Sequence, residues 1–133
     1  MSLHGPELVG RRFSSNHSHQ VSAESLSAFA RAVGARVDIA PPTFLITFSV
    51  KAAEEFLPTL GFDWSRVVHG EQRFLHQREL VAGDVLTTTS EIESYKNLAG
   101  NEFVTIRTDF IDEKTGALIS SAWSTLVFRG ESA

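Results

Sequence analysis

Residues 118–128, Leu-Ile-Ser-Ser-Ala-Trp-Ser-Thr-Leu-Val-Phe, constrain the fold of this chain more than any other stretch. In an extended conformation Ile119, Ser121, Trp123, Thr125 and Val127 share one face, and Leu118, Ala122, Leu126 and Phe128 share the other. A strand with apolar residues on both faces belongs in the middle of a sheet, covered on both sides. Ahead of it, Val104, Ile106, Thr108 and Phe110 alternate with polar neighbours as far as Asp112-Glu113-Lys114-Thr115-Gly116, a hairpin turn. Further upstream, Ala82-Gly83-Asp84 turns the chain into a Thr-rich segment, Val85 to Tyr95, with a period of two, and Asn97 to Asn101 reads as a Gly-containing loop. Val68, Gln72, Phe74 and His76 lie in one more extended run after Trp64.

The first half of the chain reads as helix. Ser22 can cap the free amides of a first turn, Val21 and Leu26 sit at hydrophobic-staple positions, and Leu26, Phe29, Ala30 and Val33 recur at helical spacing. Gly34 is a natural stop. The segment from Phe44 to Leu57 is less clear-cut, because Phe44, Ile46, Phe48 and Val50 alternate as a strand would. Its length, the helix formers Ala52-Ala53-Glu54-Glu55-Phe56, and Pro41-Pro42 at the position of a first turn favour a helix ending at Pro58. Its first half is apolar nearly all round, which suits a helix enclosed by other structure. Helices followed by a strand meander give one α+β domain over residues 1–133, with no internal repeat or linker.

Composition narrows the function. Hydrophobic residues make up 42% and charged residues 21%, as in ordinary globular domains. The net charge of −4 and the lack of any Lys/Arg stripe argue against nucleic acid as partner. No cysteine is present, which excludes disulfides and thiol chemistry and suits a reducing compartment. No apolar run is long enough to span a bilayer and no signal peptide is read, so the expected location is the cytoplasm.

Three pieces in order carry a family resemblance: Ala40-Pro41-Pro42-Thr43-Phe44, then Val67-Val68-His69-Gly70-Glu71-Gln72-Arg73-Phe74, then Ala82-Gly83-Asp84. The chain resembles the hot-dog domains of MaoC-like (3R)-hydroxyacyl-thioester dehydratases and hydratases, in the N-terminal-half, non-catalytic-subunit version. The resemblance implies an antiparallel sheet wrapped around a long central helix. It also implies an acyl-coenzyme A or acyl-carrier-protein thioester as ligand, and a hot-dog dimer partner, either a second copy or a catalytic MaoC-like subunit. No cofactor or metal is implied. Active members place an Asp-x-Asn-Pro-x-His run in the loop leading to the central helix, where the pair moves protons during water elimination. Here that loop is Ala35-Arg36-Val37-Asp38-Ile39 and contains neither that run nor any histidine.

The candidates for catalysis are therefore Asp38, as a lone loop carboxylate, and His69. Each has a plainer reading: a solvated loop carboxylate for Asp38, and for His69 a structural pair with Glu71, since alternation puts both on one face. For substrate contact the candidates are Thr43 and Phe44, the first amides after the prolines, together with Phe48. His17 and His19 have no third metal ligand at suitable spacing. His76 reads as an exposed strand end, and Glu54 and Glu55 as solvent-facing residues late on the helix, although some hot-dog thioesterases use a helix carboxylate. Phe44, Leu45, Phe48, Phe56, Phe103, Phe110, Trp123 and Phe128 are expected in the core. The rival expectation is an active homodimeric hydratase, dehydratase or thioesterase using Asp38, His69 or Glu54.

Overall fold

A computed structural model describes residues 5–15, 18–36 and 40–130; Asp38 and His17 lie outside the described residues. After a 3-10 turn at Pro6–Leu8 come two short strands, β1 (Arg12–Ser14) and β2 (His19–Gln20), then helices α1 (Ala23–Val33) and α2 (Ile46–Phe56). Four strands follow: β3 (Val67–His76), β4 (Val85–Leu98), β5 (Asn101–Asp112) and β6 (Leu118–Phe128). They form one antiparallel sheet in the order β1-β4-β5-β6-β3, with β2 also on β4. β6 thus lies between β5 and β3, and α2 packs against β4, β5 and β6. This is the expected sheet wrapped around a helix.

Helix α1 starts and stops where its residues dictate. Ser22 Oγ accepts from the Ser25 amide at 3.0 Å, Ser25 answers with its own hydroxyl, and Gly34 ends the helix at φ 73°. Its apolar stripe is shorter than the spacing suggests: Ala30 is buried, but Val33 is 54% exposed.

Helix α2 opens later than the prolines suggest. The Phe44 amide donates to the Pro41 carbonyl and the Ile46 amide to Thr43, each at 3.0 Å, so the lead-in is a chain of tight turns. Pro42 pushes Pro41 out of helical geometry, and the four-residue ladder begins only with the Ser49 amide on Leu45 O. Pro58 does not end the path either; a 3-10 turn at Leu57–Leu60 continues it to Gly61. Nor is the helix enclosed. Ser49, Ala52, Ala53 and Phe56 are buried, whereas Thr47, Val50, Lys51 and Glu54 form an exposed row.

Two apolar clusters fill the space between α2 and the inner face of the sheet. One gathers Phe56, Leu57, Phe62, Ile106, Leu126 and Phe128; the other gathers Val21, Phe44, Leu45, Leu86, Phe110 and Ala122. The outer face of β6 departs from expectation, since no described helix covers it. Odd-numbered Phe103 and Trp123 fall on that outer face by strand parity and are half-buried rather than core, and Trp123 carries the Arg73 guanidinium 4.5 Å from its ring. The Asn97–Asn101 loop shrinks to Ala99-Gly100, both at positive φ (53° and 84°), the geometry of a two-residue hairpin.

Candidate functional site

The double proline, the last residue of β3 and the following loop meet at one end of α2. His76 faces inward opposite Ser120 of β6, as alternation with Gln72 and Phe74 requires. Its Nε2 lies 2.7 Å from the Pro42 carbonyl and its Nδ1 2.7 Å from Ser120 Oγ. A carbonyl only accepts, so Nε2 carries a proton; in the neutral ring Nδ1 then accepts from the Ser120 hydroxyl. The ring stacks on Phe74 at 5.7 Å. His76 is thus an exposed strand end, as expected, but one with both nitrogens engaged, tying β3 and β6 to the lead-in of α2. A cavity of about 320 Å³ opens here, bounded by Ala40, Pro41, Pro42, His76, Glu79 and Leu80.

Arg78 braces the far wall. It donates to both carboxylate oxygens of Asp84 at 2.9 and 3.1 Å and reaches Asp112 at 3.4 Å, while the Val81 amide also donates to Asp84. The Ala-Gly-Asp turn is therefore pinned to the β5–β6 hairpin. The Arg78 hydrogen bond, helped by the Val81 amide, holds the Asp84 carboxyl below its ordinary value of 3.8 against the opposing effect of burial. A lowered native pKa stabilises the fold above the ordinary carboxylate value, and that stability is lost as pH falls through the lowered one. Asp84→Asn is expected to cost about 1 kcal/mol at neutral pH, because Arg78 is 39% exposed and solvent screens the pair. Thermal melts should show this gap between wild type and variant closing in acid.

A second cavity, about 160 Å³, lies halfway along α2 between Ser49, Val50, Trp64, His69, Ser124 and Leu126. His69 reaches it because of a bulge. The register shifts between His69 and Glu71, so His69 pairs with Leu126 on the inner side while Glu71 pairs with Thr125 on the outer side. The expectation that His69 and Glu71 share a face is therefore overturned; the extra residue at Gly70 reverses the alternation. The His69 ring meets the Glu71 backbone carbonyl at 3.1 Å rather than its carboxylate. Seven residues back along β3 from His76, His69 stands about 20 Å from the doorway.

The other sequence candidates are dispersed. Thr43 is exposed, and among the described residues nothing accepts from its amide. Phe44 is buried, edge-on to Phe29 and Phe48 at 5.5 Å, and its amide is already committed to Pro41. Phe48 is half-buried with His19 stacked on it at 4.6 Å. None of the three borders either cavity. Glu54 is exposed as expected, but Glu55 is half-buried and accepts from Ser15 Oγ at 3.3 Å. Among the described residues no group of His, Asp or Glu could hold a metal ion, and no helix is long and apolar enough to cross a membrane. Sequence reasoning missed His76 and Ser120 as a linked pair. Its available signal was the shared parity of Gln72, Phe74 and His76; the Pro42 partner lies 34 residues away and left none.

Comparison with known structures places this architecture among hot-dog folds, and the matching structures include MaoC-like dehydratases. The HadBC (3R-hydroxyacyl-ACP dehydratase) complex from Mycobacterium tuberculosis matches with a TM-score of 0.79 at 23% identity, covering 90% of this chain and 96% of that one. A MaoC-like dehydratase gives 0.81 at 23% identity, over 92% of this chain and 42% of that one. Residues 7–120 match the family described as FAS1-like, dehydratase domain region, and the chain belongs to that family. Among curated sequences, a UPF0336 protein of Streptomyces griseus is 45% identical, over 91% of this chain and 92% of that protein. A Saccharopolyspora erythraea relative also described as a UPF0336 protein is 37% identical, over 92% of this chain and 89% of that protein.

Proposed function

We propose that this chain is an acyl-thioester-binding subunit of a 3-hydroxyacyl-thioester dehydratase or enoyl-thioester hydratase, and that it does not eliminate or add water by itself. The observation that carries the reading is the doorway. Where an acid/base pair is needed, the sequence lacks the Asp-x-Asn-Pro-x-His run, and the one histidine at the doorway among the described residues has both nitrogens held by Ser120 and Pro42. A base whose lone pair already accepts a hydroxyl proton is poorly placed to take one from carbon. What remains is suited to holding a ligand: a Thr43 amide with no acceptor among the described residues, a doorway cavity, and a mostly apolar groove along α2.

The same reading gives the chain a hot-dog partner, a second copy or a catalytic subunit that supplies the Asp and His. Ten-residue β3 ends the sheet with Val68 and Leu75 exposed, and a long uncovered edge strand invites pairing. The exposed row Thr47, Val50, Lys51 and Glu54 leaves α2 open on one side. We place the protein in the cytoplasm, which a chain without cysteine suits. Calorimetric titration with a long-chain acyl-coenzyme A is expected to give saturable binding, and light scattering a mass about twice 14.6 kDa. Absence of any acyl-thioester binding would remove the reading; a 14.6 kDa species would remove the self-pairing arm.

One observation favours an active enzyme instead: His76 and Glu79 border the same cavity. Release of His76 from Pro42 on substrate binding would turn the pair into an acid and a base. In that case hydration of crotonyl-coenzyme A by the chain alone would be abolished by His76→Ala and by Glu79→Gln.

A further inference from the structure

Strand β3 is a free edge of the sheet, and its own residues select what can pair with it. From Glu71 to His76 its ladder to β6 is regular, and the Gln77 amide donates to the Ile119 carbonyl on the β6 side at 2.8 Å. Alternation therefore turns the odd-numbered backbone groups toward β6. It leaves the N–H and C=O of Gln72, Phe74 and His76 on the open side. On the outer face of this stretch Glu71 and Arg73 are both exposed. Arg73 rests on Trp123, but among the described residues neither charged group has an ion-pair partner. An acidic and a basic residue two apart on an edge strand complement a copy of themselves. If two β3 strands pair antiparallel, inner faces stay with inner faces only when the two-fold axis falls on a residue. An axis at Glu71 or at Arg73 sets that residue against its own like charge. An axis at Phe74 or Leu75 leaves both charges unmatched. An axis at Gln72 sets Glu71 opposite Arg73 twice, and the backbone groups of Gln72 are free to bond across it.

The bulge at Gly70 decides what else meets across that axis. Gln72 pairs with Ser124, and His76 with Ser120, so His76 lies four ladder steps, about 13 Å, to one side. On the other side the bulge absorbs one residue, and Val67, opposite Phe128, lies the same four steps away. Phe74 and His69, opposite Ala122 and Leu126, lie two steps to either side. All four face inward: Phe74 packs on the core, Val67 and His69 line the 160 Å³ groove, and His76 lines the doorway cavity. A two-fold at Gln72 therefore sets Val67 of one copy opposite His76 of the other, and His69 opposite Phe74. We propose that β3 pairs with β3 of a second copy about an axis at Gln72, so that each doorway is faced by the other copy's groove. What the joined space holds rests on the acyl-thioester reading above: a thioester seated at one doorway, its chain running into the groove of the second copy. The site is incomplete in a single chain, where cavity and groove stand at opposite ends of β3.

The test is a charge exchange, read by analytical ultracentrifugation of the purified chain at low ionic strength. The wild type is expected at about twice 14.6 kDa. Glu71→Arg and Arg73→Glu, each alone, set like charges against each other twice and should raise the dimer dissociation constant about tenfold or more. Mixed, the two variants face each other with opposite charges in both pairs, and the mixture should return to wild-type affinity. Hexadecanoyl-coenzyme A, titrated calorimetrically, should bind the wild type and the mixture about tenfold tighter than either variant alone. A wild-type mass of 14.6 kDa, unchanged affinity in the single variants, or a mixture no tighter than its components overturns the pairing. An edge kept for a different subunit, or charges that merely guard it against aggregation, would give those results. Acyl binding that ignores the state of association overturns the joined space and leaves the acyl-thioester reading standing. A dimeric wild type that binds no acyl-coenzyme A overturns that reading and leaves the pairing standing. Should Arg73→Glu uncover Trp123 and not fold, salt decides: it should loosen the wild-type dimer and tighten that of Glu71→Arg. Salt slopes of the same sign overturn the pairing.

Discussion

Phe110→Ala is expected to cost about 3–5 kcal/mol, the largest loss from any single truncation in the sheet. Phe110 is fully buried and is the bulkiest side chain in that state, packed with Val21, Phe44, Leu45 and Leu86. Its strand neighbours across the sheet are Thr88 and Ser120, so the cavity left behind opens directly beneath the residue that holds His76. Against a total stability of about 5–15 kcal/mol, that loss removes roughly a fifth or more of the folded state's margin. Urea unfolding should show a lower midpoint with an unchanged slope. Phe103→Ala is the matched control, one strand position out of phase and half-buried on the outer face. It should cost well under half as much. Equal losses would contradict the assignment of inner and outer faces from which the site is built.

His76→Ala is expected to be the next most damaging change near the site, at about 1–3 kcal/mol. The cost falls mainly on Ser120, which is fully buried and loses its one side-chain hydrogen-bond partner among the described residues, whereas Pro42 is exposed and its carbonyl can turn to water. The change should also be felt locally. With the imidazole gone, the hydrogen bond that ties the turns ahead of α2 to β3 is lost, so amide exchange at Phe44 and Ile46 should accelerate more than exchange in β5. His76→Gln, which can still donate to Pro42, should restore part of that protection. Uniform acceleration across the whole sheet would show instead that the imidazole acts on global stability alone.

Much of this fold was legible because its signals are local. Ser22 and Gly34 mark α1 through backbone chemistry that operates within one turn, and Asp112 to Gly116 mark a hairpin in the same way. Alternation in β5 and β6 assigned the core faces wherever the ladder was regular. Failures came where a non-local or irregular feature intervened. A single bulge at Gly70 separated His69 from Glu71, and two prolines displaced the start of α2 to Ile46 by forming a turn of their own. Phe103 and Trp123 were expected in the core on bulk alone, though parity put them on the outer face. The candidate site was less legible than the fold. Its absent motif could be read directly, but the residues that stand at the doorway instead come from three separated segments, Pro42, His76 and Ser120, and only packing of α2 on the sheet brings them together.

The central claim, that this subunit binds a thioester without itself moving water, is tested most directly by a hydration assay on crotonyl-coenzyme A and longer enoyl-thioesters. The purified chain alone should give no turnover above the uncatalysed rate, with activity appearing only when a hot-dog partner carrying the Asp and His is added. Robust turnover by the chain alone, lost in Asp38→Asn, His69→Ala or His76→Ala, would contradict the account.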